Sequence, residues 1–301
     1  MTQIGAGSYG VVFAHGDGEV AKYGHLKREF DTGRALATLD GNEQERLFVV
    51  LKDRCKVTPE NGELVLNSTR YTPSHTVLYA LNSNELWMGR MSRADGDVDM
   101  LSKKWDTIFL NIDPAHASEM ALCALANVAD GLLHMHANGF IHMDVKPHNV
   151  LYNYHARRLE LKLSDFGRTI QPGDSQFPNP WLASNLYFPH KFAKSDDMWN
   201  SLAGNARLSA ELRGDSKDCP NSLRGPIIGR NDSCPNNETN RLLGIACDWF
   251  GFGCVVDKIR SHLMLTDAQG SDLSNFFSAC ALGNMSDNEA RRMLPLCGIV
   301  M

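Results

Sequence analysis

Two stretches near the middle of the chain gather side chains that can handle phosphate: "IHMDVKPHNV", Ile141 to Val150, and "LKLSDFGRT", Leu161 to Thr169. Asp144 and Asp165 supply carboxylates and Asn149 an amide oxygen; hard oxygen donors of this kind suit Mg2+. Lys146, two positions after Asp144, adds a positive charge that can meet phosphate oxygens. Close to the start, "GAGSYGVV" sets Gly5, Gly7 and Gly10 in a G-x-G-x-x-G-x-V pattern that ends on Val12. Residues without a Cβ let backbone amides come close to phosphates. Ile4 precedes this loop, and Ala6, Ser8 and Tyr9 complete it.

Alone, the glycine pattern also fits a plain turn or a dinucleotide-binding loop. The latter needs a full strand before the first glycine and a helix after it. Only Met1 to Ile4 precede Gly5 and a hairpin follows, so the pattern fits a β-hairpin folded over a nucleotide better. In "EVAKY", Lys22 lies on the strand after that hairpin, and Glu29 follows seven positions later in the next helical segment. An ion pair between them would hold the ammonium ready for an anionic ligand. Two unrelated surface charges are the competing explanation, since Lys27 and Arg28 stand next to Glu29.

These residues need elements to hold them. Val11 to His15 and Glu19 to Tyr23 are β-prone runs around Gly16-Asp17-Gly18, a hairpin signal. A helix is predicted from about His25 to Leu39. Further strands are predicted at Leu47 to Lys52, at Glu63 to Asn67 after an Asn61-Gly62 turn, at Thr76 to Leu81 and at Glu85 to Met91. Beyond Asp113 the character changes. Asp113 is a good helix cap, Pro114 suits the first helical position, and Met120, Ala124, Val128, Leu132 and Met135 form a stripe that predicts a buried helix ending near Gly139. A second buried helix is predicted over Asp248 to Leu265, and "SDNE", Ser286 to Glu289, reads as a capping box. The span 192–241 is polar and poor in core residues, which predicts a surface insertion ordered, if at all, by a partner.

Taken in order, the Gly-rich loop, the V-A-K strand, D-x-K-x-x-N and D-F-G resemble the eukaryotic-type serine/threonine protein kinases. "CDWFGFGCVVDKI" is similar to the family's buried helix after the activation segment, with Asp248 and Gly253 matching and Phe250 at a Trp position. The resemblance implies an α+β, bilobal protein kinase fold, with a small β-rich N-lobe over 1–92 and a larger helical C-lobe over 93–301. It implies ATP and Mg2+ as cofactors and serine or threonine hydroxyls of proteins as acceptors.

It also implies roles. Asp144 receives or orients the acceptor proton, Lys146 steadies the γ-phosphate, and Asn149 and Asp165 hold Mg2+. Lys22 grips the α- and β-phosphates, braced by Glu29, under the loop from Ile4 to Val12. His142 and Phe166 would be packing residues, and Asp248 would anchor the backbone of the catalytic loop.

The chain departs from the family in places. Where the signature has arginine after His142 it has Met143, which cannot pair with a phosphorylated activation loop. The expectation is a kinase that needs no such phosphorylation, with Thr169 and Ser184 not acting as on-switches. The A-P-E counterpart is placed at "FPH", Phe188 to His190, in preference to "SAEL", Ser209 to Leu212. Short termini give the chain a likeness to the compact kinases of large DNA viruses, herpesvirus-like ones among them.

Composition excludes other classes. With 43% hydrophobic and 22% charged residues in 301, the chain can bury a substantial core, and a net charge of −5 leaves no basic footprint for nucleic acid. The first residues do not read as a leader and no apolar run is long enough to span a membrane, so neither a signal peptide nor a membrane span is expected. Eight scattered cysteines without C-x-x-C spacing point to reduced thiols, although Cys219 and Cys234 each open a "CPN" triplet and form a possible pair. An intracellular protein, cytoplasmic or nuclear, is expected. Two alternatives stay open: a pseudokinase scaffold, and a small-molecule phosphotransferase of the aminoglycoside or choline type, against which Lys146 counts.

Overall fold

A computed structural model describes residues 3–7, 10–16, 18–37, 46–57, 65–66, 69–70, 86–171, 208–213 and 237–301. Ser8, Tyr9, the Asn61-Gly62 turn, the Thr76 to Leu81 strand, Ser184, the "FPH" segment, Cys219 and Cys234 lie outside the described residues, as does most of 192–241. The chain divides into two compact units: Met1–Ala94 with Ser164–Thr169, and Asp95–Leu163 with Ile170–Met301.

In the first unit, alternation and turn residues produce an antiparallel sheet. Its strands are β1 (Gln3–Gly7), β2 (Gly10–Ala14), β3 (Glu19–Gly24), β4 (Asp53–Lys56) and, beyond the short pair β5 (Val65–Leu66) and β6 (Thr69–Arg70), β7 (Trp87–Ser92). The spatial order is β1-β2-β3-β7-β4. Val11 and Phe13 of β2 meet Ala21 and Tyr23 of β3 in an apolar cluster with Leu86, and the Phe13 and Tyr23 rings pack edge to face. The period of two turns Lys22 to the other face, opposite Val12 and Gly89. Gly10 is required sterically, because a Cβ there would collide with the Tyr23 carbonyl. Helix α1 (Lys27–Ala37) packs against the turn Phe166–Arg168.

The predicted strand at Leu47 to Lys52 is displaced. Leu47, Phe48, Val49 and Leu51 are buried but irregular, and pairing with β7 falls on the polar residues of β4, entered through Lys52 N–H donating to the Arg90 carbonyl at 2.7 Å. Apolar content drove burial there, while the ladder required only an available edge.

In the second unit, β8 (Gly96–Asp97) joins two short helices, α2 (Val98–Lys103) and α3 (Trp105–Ile108), and then the long α4 (Pro114–Ala137). Asp113 caps α4 by accepting from His116 N–H at 3.2 Å, and Gly139 leaves the helix with φ 80°. A three-stranded sheet of order β10-β9-β8 follows, built from β9 (Val150–His155) and β10 (Arg158–Leu163). The remaining helices are α5 (Ala210–Arg213), α6 (Asn237–Ile259), α7 (Asp267–Ala281) and α8 (Asp287–Met293). The capping box of Ser286 and Glu289 is complete.

Helix α6 begins well before the expected start at Asp248. Ile245, Ala246 and Cys247 are buried and continue its apolar surface, so Asp248 lies inside the helix. Gly251 lets α6 cross the loop after Asp144 closely, since a Cβ there would collide with the Val145 carbonyl. Within 192–241, Leu208–Arg213 and the opening residues of α6 from Asn237 are described, with Leu208 and Leu212 buried. Glu211 there accepts from Arg260 and from the Ser274 hydroxyl, each at 3.2 Å. No helix among the described residues is long and apolar enough to cross a membrane.

Candidate functional site

In the first unit, β3 and α1 bring Lys22 and Glu29 together. The Lys22 ammonium donates to both Glu29 oxygens, at 2.8 and 3.0 Å, and to Asp165 Oδ1 at 2.9 Å. Lys22 and Glu29 are both buried. Burial opposes the charge on Lys22, but the neighbouring Asp165 and Glu29 carboxylates outweigh it and hold its pKa well above the ordinary lysine range. Burial also pushes the Glu29 carboxyl up, and Lys22 offsets part of that.

Asp165 lies in the left-handed region, φ 61°, at the entry to the Phe166–Arg168 turn. That turn is fastened on two sides. Phe166 is buried edge to face against Phe48, with ring centroids 5.8 Å apart, and Arg28 of α1 donates to the Thr169 carbonyl at 2.8 Å. Adjacent residues of α1 thus reach both Lys22 and the turn.

In the second unit, the chain leaving α4 forms the loop that carries Asp144. Asp144 Oδ2 accepts from Lys146 Nζ at 2.8 Å and from Asn149 Nδ2 at 2.9 Å. The same Asn149 nitrogen donates to the Asp144 carbonyl at 2.8 Å, which turns the amide oxygen of Asn149 away from Asp144. Asp144 Oδ1 is buried and has no hydrogen-bond partner among the described residues. A buried carboxylate oxygen left unmatched costs about 1–3 kcal/mol, so such an atom asks for a functional explanation.

The loop is held from below. Asp248 accepts from His142 N–H through Oδ2 and from Met143 N–H through Oδ1, both at 2.7 Å. His142 is fully buried, and Met143 packs with Ile141 and Ile170. The structure therefore gathers Lys22, Glu29 and Asp165 in one cluster and Asp144, Lys146 and Asn149 in another. Gly5 and Gly10 lie in the paired β1–β2 hairpin, opposite Val12 and Gly24 respectively. Ile4 is exposed on β1, and Ala6 and Gly7 pair with Val11 and Gly10.

Three residues that sequence reasoning did not single out also bear on these clusters: Arg28, His136 and Asp287. The signal for His136 was a titratable residue on the buried stripe of α4, next to Met135. Arg28 and Asp287 carried no such signal, being ordinary helical charges.

Among the described residues, no group of three or more His, Cys, Asp or Glu side chains is disposed to hold a metal by itself. Mg2+ binds through one or two protein oxygens, waters and substrate phosphates. Asp165 and Asn149 have the right donor chemistry.

Residues 108–199 match the family model of the protein kinase domain. The chain is 30% identical over 80 residues to a probable serine/threonine-protein kinase, fhkB, of Dictyostelium discoideum, covering 23% of this chain and 7% of that protein. It is 29% identical over 94 residues to MAP kinase-activated protein kinase 2 of Oryctolagus cuniculus, covering 29% and 26%. Against calcium/calmodulin-dependent protein kinase type II of Caenorhabditis elegans the figures are 28% over 81 residues, covering 25% and 11%. The chain thus spans at most about a quarter of the length of these relatives. These matches support a protein kinase. With its β-rich unit, its helical unit and the matched segment, the chain has the α+β fold of a protein kinase domain.

Proposed function

We propose that this chain is an active, intracellular serine/threonine protein kinase that moves the γ-phosphate of ATP to protein hydroxyls. The observation that carries this reading is Asp144: one carboxylate oxygen is fixed by Lys146 and Asn149, while the other is buried and unmatched among the described residues. An oxygen so placed can take a hydroxyl proton while its carboxylate cannot rotate away. The hydroxyl oxygen attacks the γ-phosphorus, its proton passes to Asp144 Oδ1, and the bond to the β-phosphate oxygen breaks to release ADP. Lys146 offsets charge on the transferred group, and Lys22, kept protonated by Glu29 and Asp165, meets the charge of the other phosphates. Asp165 and Asn149 each carry an oxygen of the kind that would take Mg2+, which when bound neutralises phosphate charge.

Control follows from Met143. Its side chain is committed to an apolar cluster, and Thr169 is buried with its carbonyl taken by Arg28. We infer that competence does not depend on phosphorylating the activation segment. The test is incubation with labelled ATP, Mg2+ and a panel of basic and acidic protein substrates, beside Asp144→Asn. Transfer to serine or threonine by the wild type alone is expected; equal incorporation by both proteins would overturn the reading.

A further inference from the structure

His136, in the last turn of α4, has a fully buried side chain between two carboxylates from different helices. Its Nε2 lies 3.0 Å from Asp248 Oδ2 of α6 and its Nδ1 2.7 Å from Asp287 Oδ1 of α8. Carboxylate oxygens only accept, so both ring nitrogens must carry protons and the ring is an imidazolium. Trp249 Nε1–H donates to the same Asp287 oxygen at 2.8 Å. Asp248 is also the acceptor for the His142 and Met143 amides. A continuous path thus runs from the start of α8, through a buried cation, to the backbone of the loop that carries Asp144.

We propose that Asp287 is a positioning residue for phosphate transfer: it holds the His136 imidazolium, which fixes the Asp248 carboxylate and, through two backbone amides, the Asp144 loop. The catalytic part of this proposal rests on the kinase reading; the mechanical part does not.

The charged and titratable groups bearing on His136 are Asp248 of α6 and Asp287 of α8, with Arg241 of α6 acting on Asp287. Burial works to depress the imidazolium pKa, but hydrogen bonds and charge from both carboxylates overcome it and raise it to about 9. The ring is therefore charged at neutral pH. When it loses a proton, one nitrogen becomes an acceptor facing an acceptor, and the path breaks. Taking the charge from Asp287 brings that break to lower pH.

The experiment uses the full chain and the isosteric variant Asp287→Asn. Amide hydrogen exchange at His142 and Met143 is followed by NMR at neutral pH, and kcat and KM for ATP are measured from about pH 6 to about pH 10. The expected result is exchange faster by about tenfold at those two amides, with the basic limb of kcat moved down by about one pH unit and KM little changed. Asp287→Glu restores the charge and returns the limb toward the wild type. A purely structural loss would lower the melting temperature without moving the limb. Wild-type exchange together with a superimposable kcat profile in Asp287→Asn overturns the proposal. If the wild type transfers no phosphate, the kinase reading has failed instead, and the exchange rates alone decide whether the path holds the loop.

Discussion

The Met143 amide donates to Asp248 Oδ1 at 2.7 Å across 105 positions of chain, and this bond holds Met143 in the left-handed region at φ 63°. A residue with a side chain costs about 1–3 kcal/mol in such a conformation and persists there only when its surroundings over-determine it. Asp248 supplies the polar half of that constraint, and Ile141 and Ile170 supply the apolar half. The position where the family places an arginine is therefore a packed, bent joint.

Asp248→Ala should be among the most damaging single changes. It strips the acceptor from two buried amides and leaves the His136 cation with one carboxylate, a loss of about 3–5 kcal/mol. Asp248→Asn keeps the shape and one acceptor oxygen and should cost less. Denaturant unfolding measures both; a loss below about 1 kcal/mol for the alanine variant would contradict this account of the loop.

On the proposed kinase function, replacing Lys22 by Met should reduce phosphate transfer by at least about 10²-fold, because it removes the cation that this function assigns to phosphate. Glu29→Gln should be milder, because Asp165 still binds the ammonium. Asp144→Asn should cost about 10²–10⁴-fold, the usual range for a positioned general base. Kinetics on variants with wild-type circular dichroism test the order, and a Glu29→Gln enzyme slower than Lys22→Met would reverse it.

Thr169 is fully buried, and its hydroxyl has no partner among the described residues. Thr169→Val exchanges that hydroxyl for a methyl group of similar size. The variant should retain full activity and be as stable as the wild type or up to about 1 kcal/mol more so. Parallel melting and phosphate-transfer assays decide it; an inactive, well-folded valine variant would instead mark Thr169 as a switch.

Stability should respond to His136 at alkaline pH. Folding raises its pKa from an ordinary 6.5 to about 9, a contribution on the order of 3 kcal/mol. The sign is that of a base gaining partners: the contribution is whole below pH 6.5 and is lost as pH rises through about 9. Unfolding free energies at about pH 6 and about pH 10 should differ by that much more in the wild type than in His136→Gln. Equal differences would show that the ring is not charged in the folded protein.

The short-range features of this protein were legible in its sequence because their causes are short-range. Asp113-Pro114 opens a helix, Ser286 and Glu289 close a capping box, and alternation in β2 and β3 turns Lys22 away from Ala21 and Tyr23; each requires only neighbours a few residues apart. The spacing of Asp144, Lys146 and Asn149 likewise marked a single loop whose members bond one another. Tertiary structure decided the rest. The apolar run at Leu47 to Leu51 is buried while the ladder with β7 falls on β4, and α6 starts well ahead of Asp248 because Ile245, Ala246 and Cys247 continue its buried surface. The link from Asp287 through His136 to Met143 spans separations of 151, 112 and 105 positions. No local pattern records such a pairing, because its members meet only when three helices pack, and burial then makes their charges depend on one another.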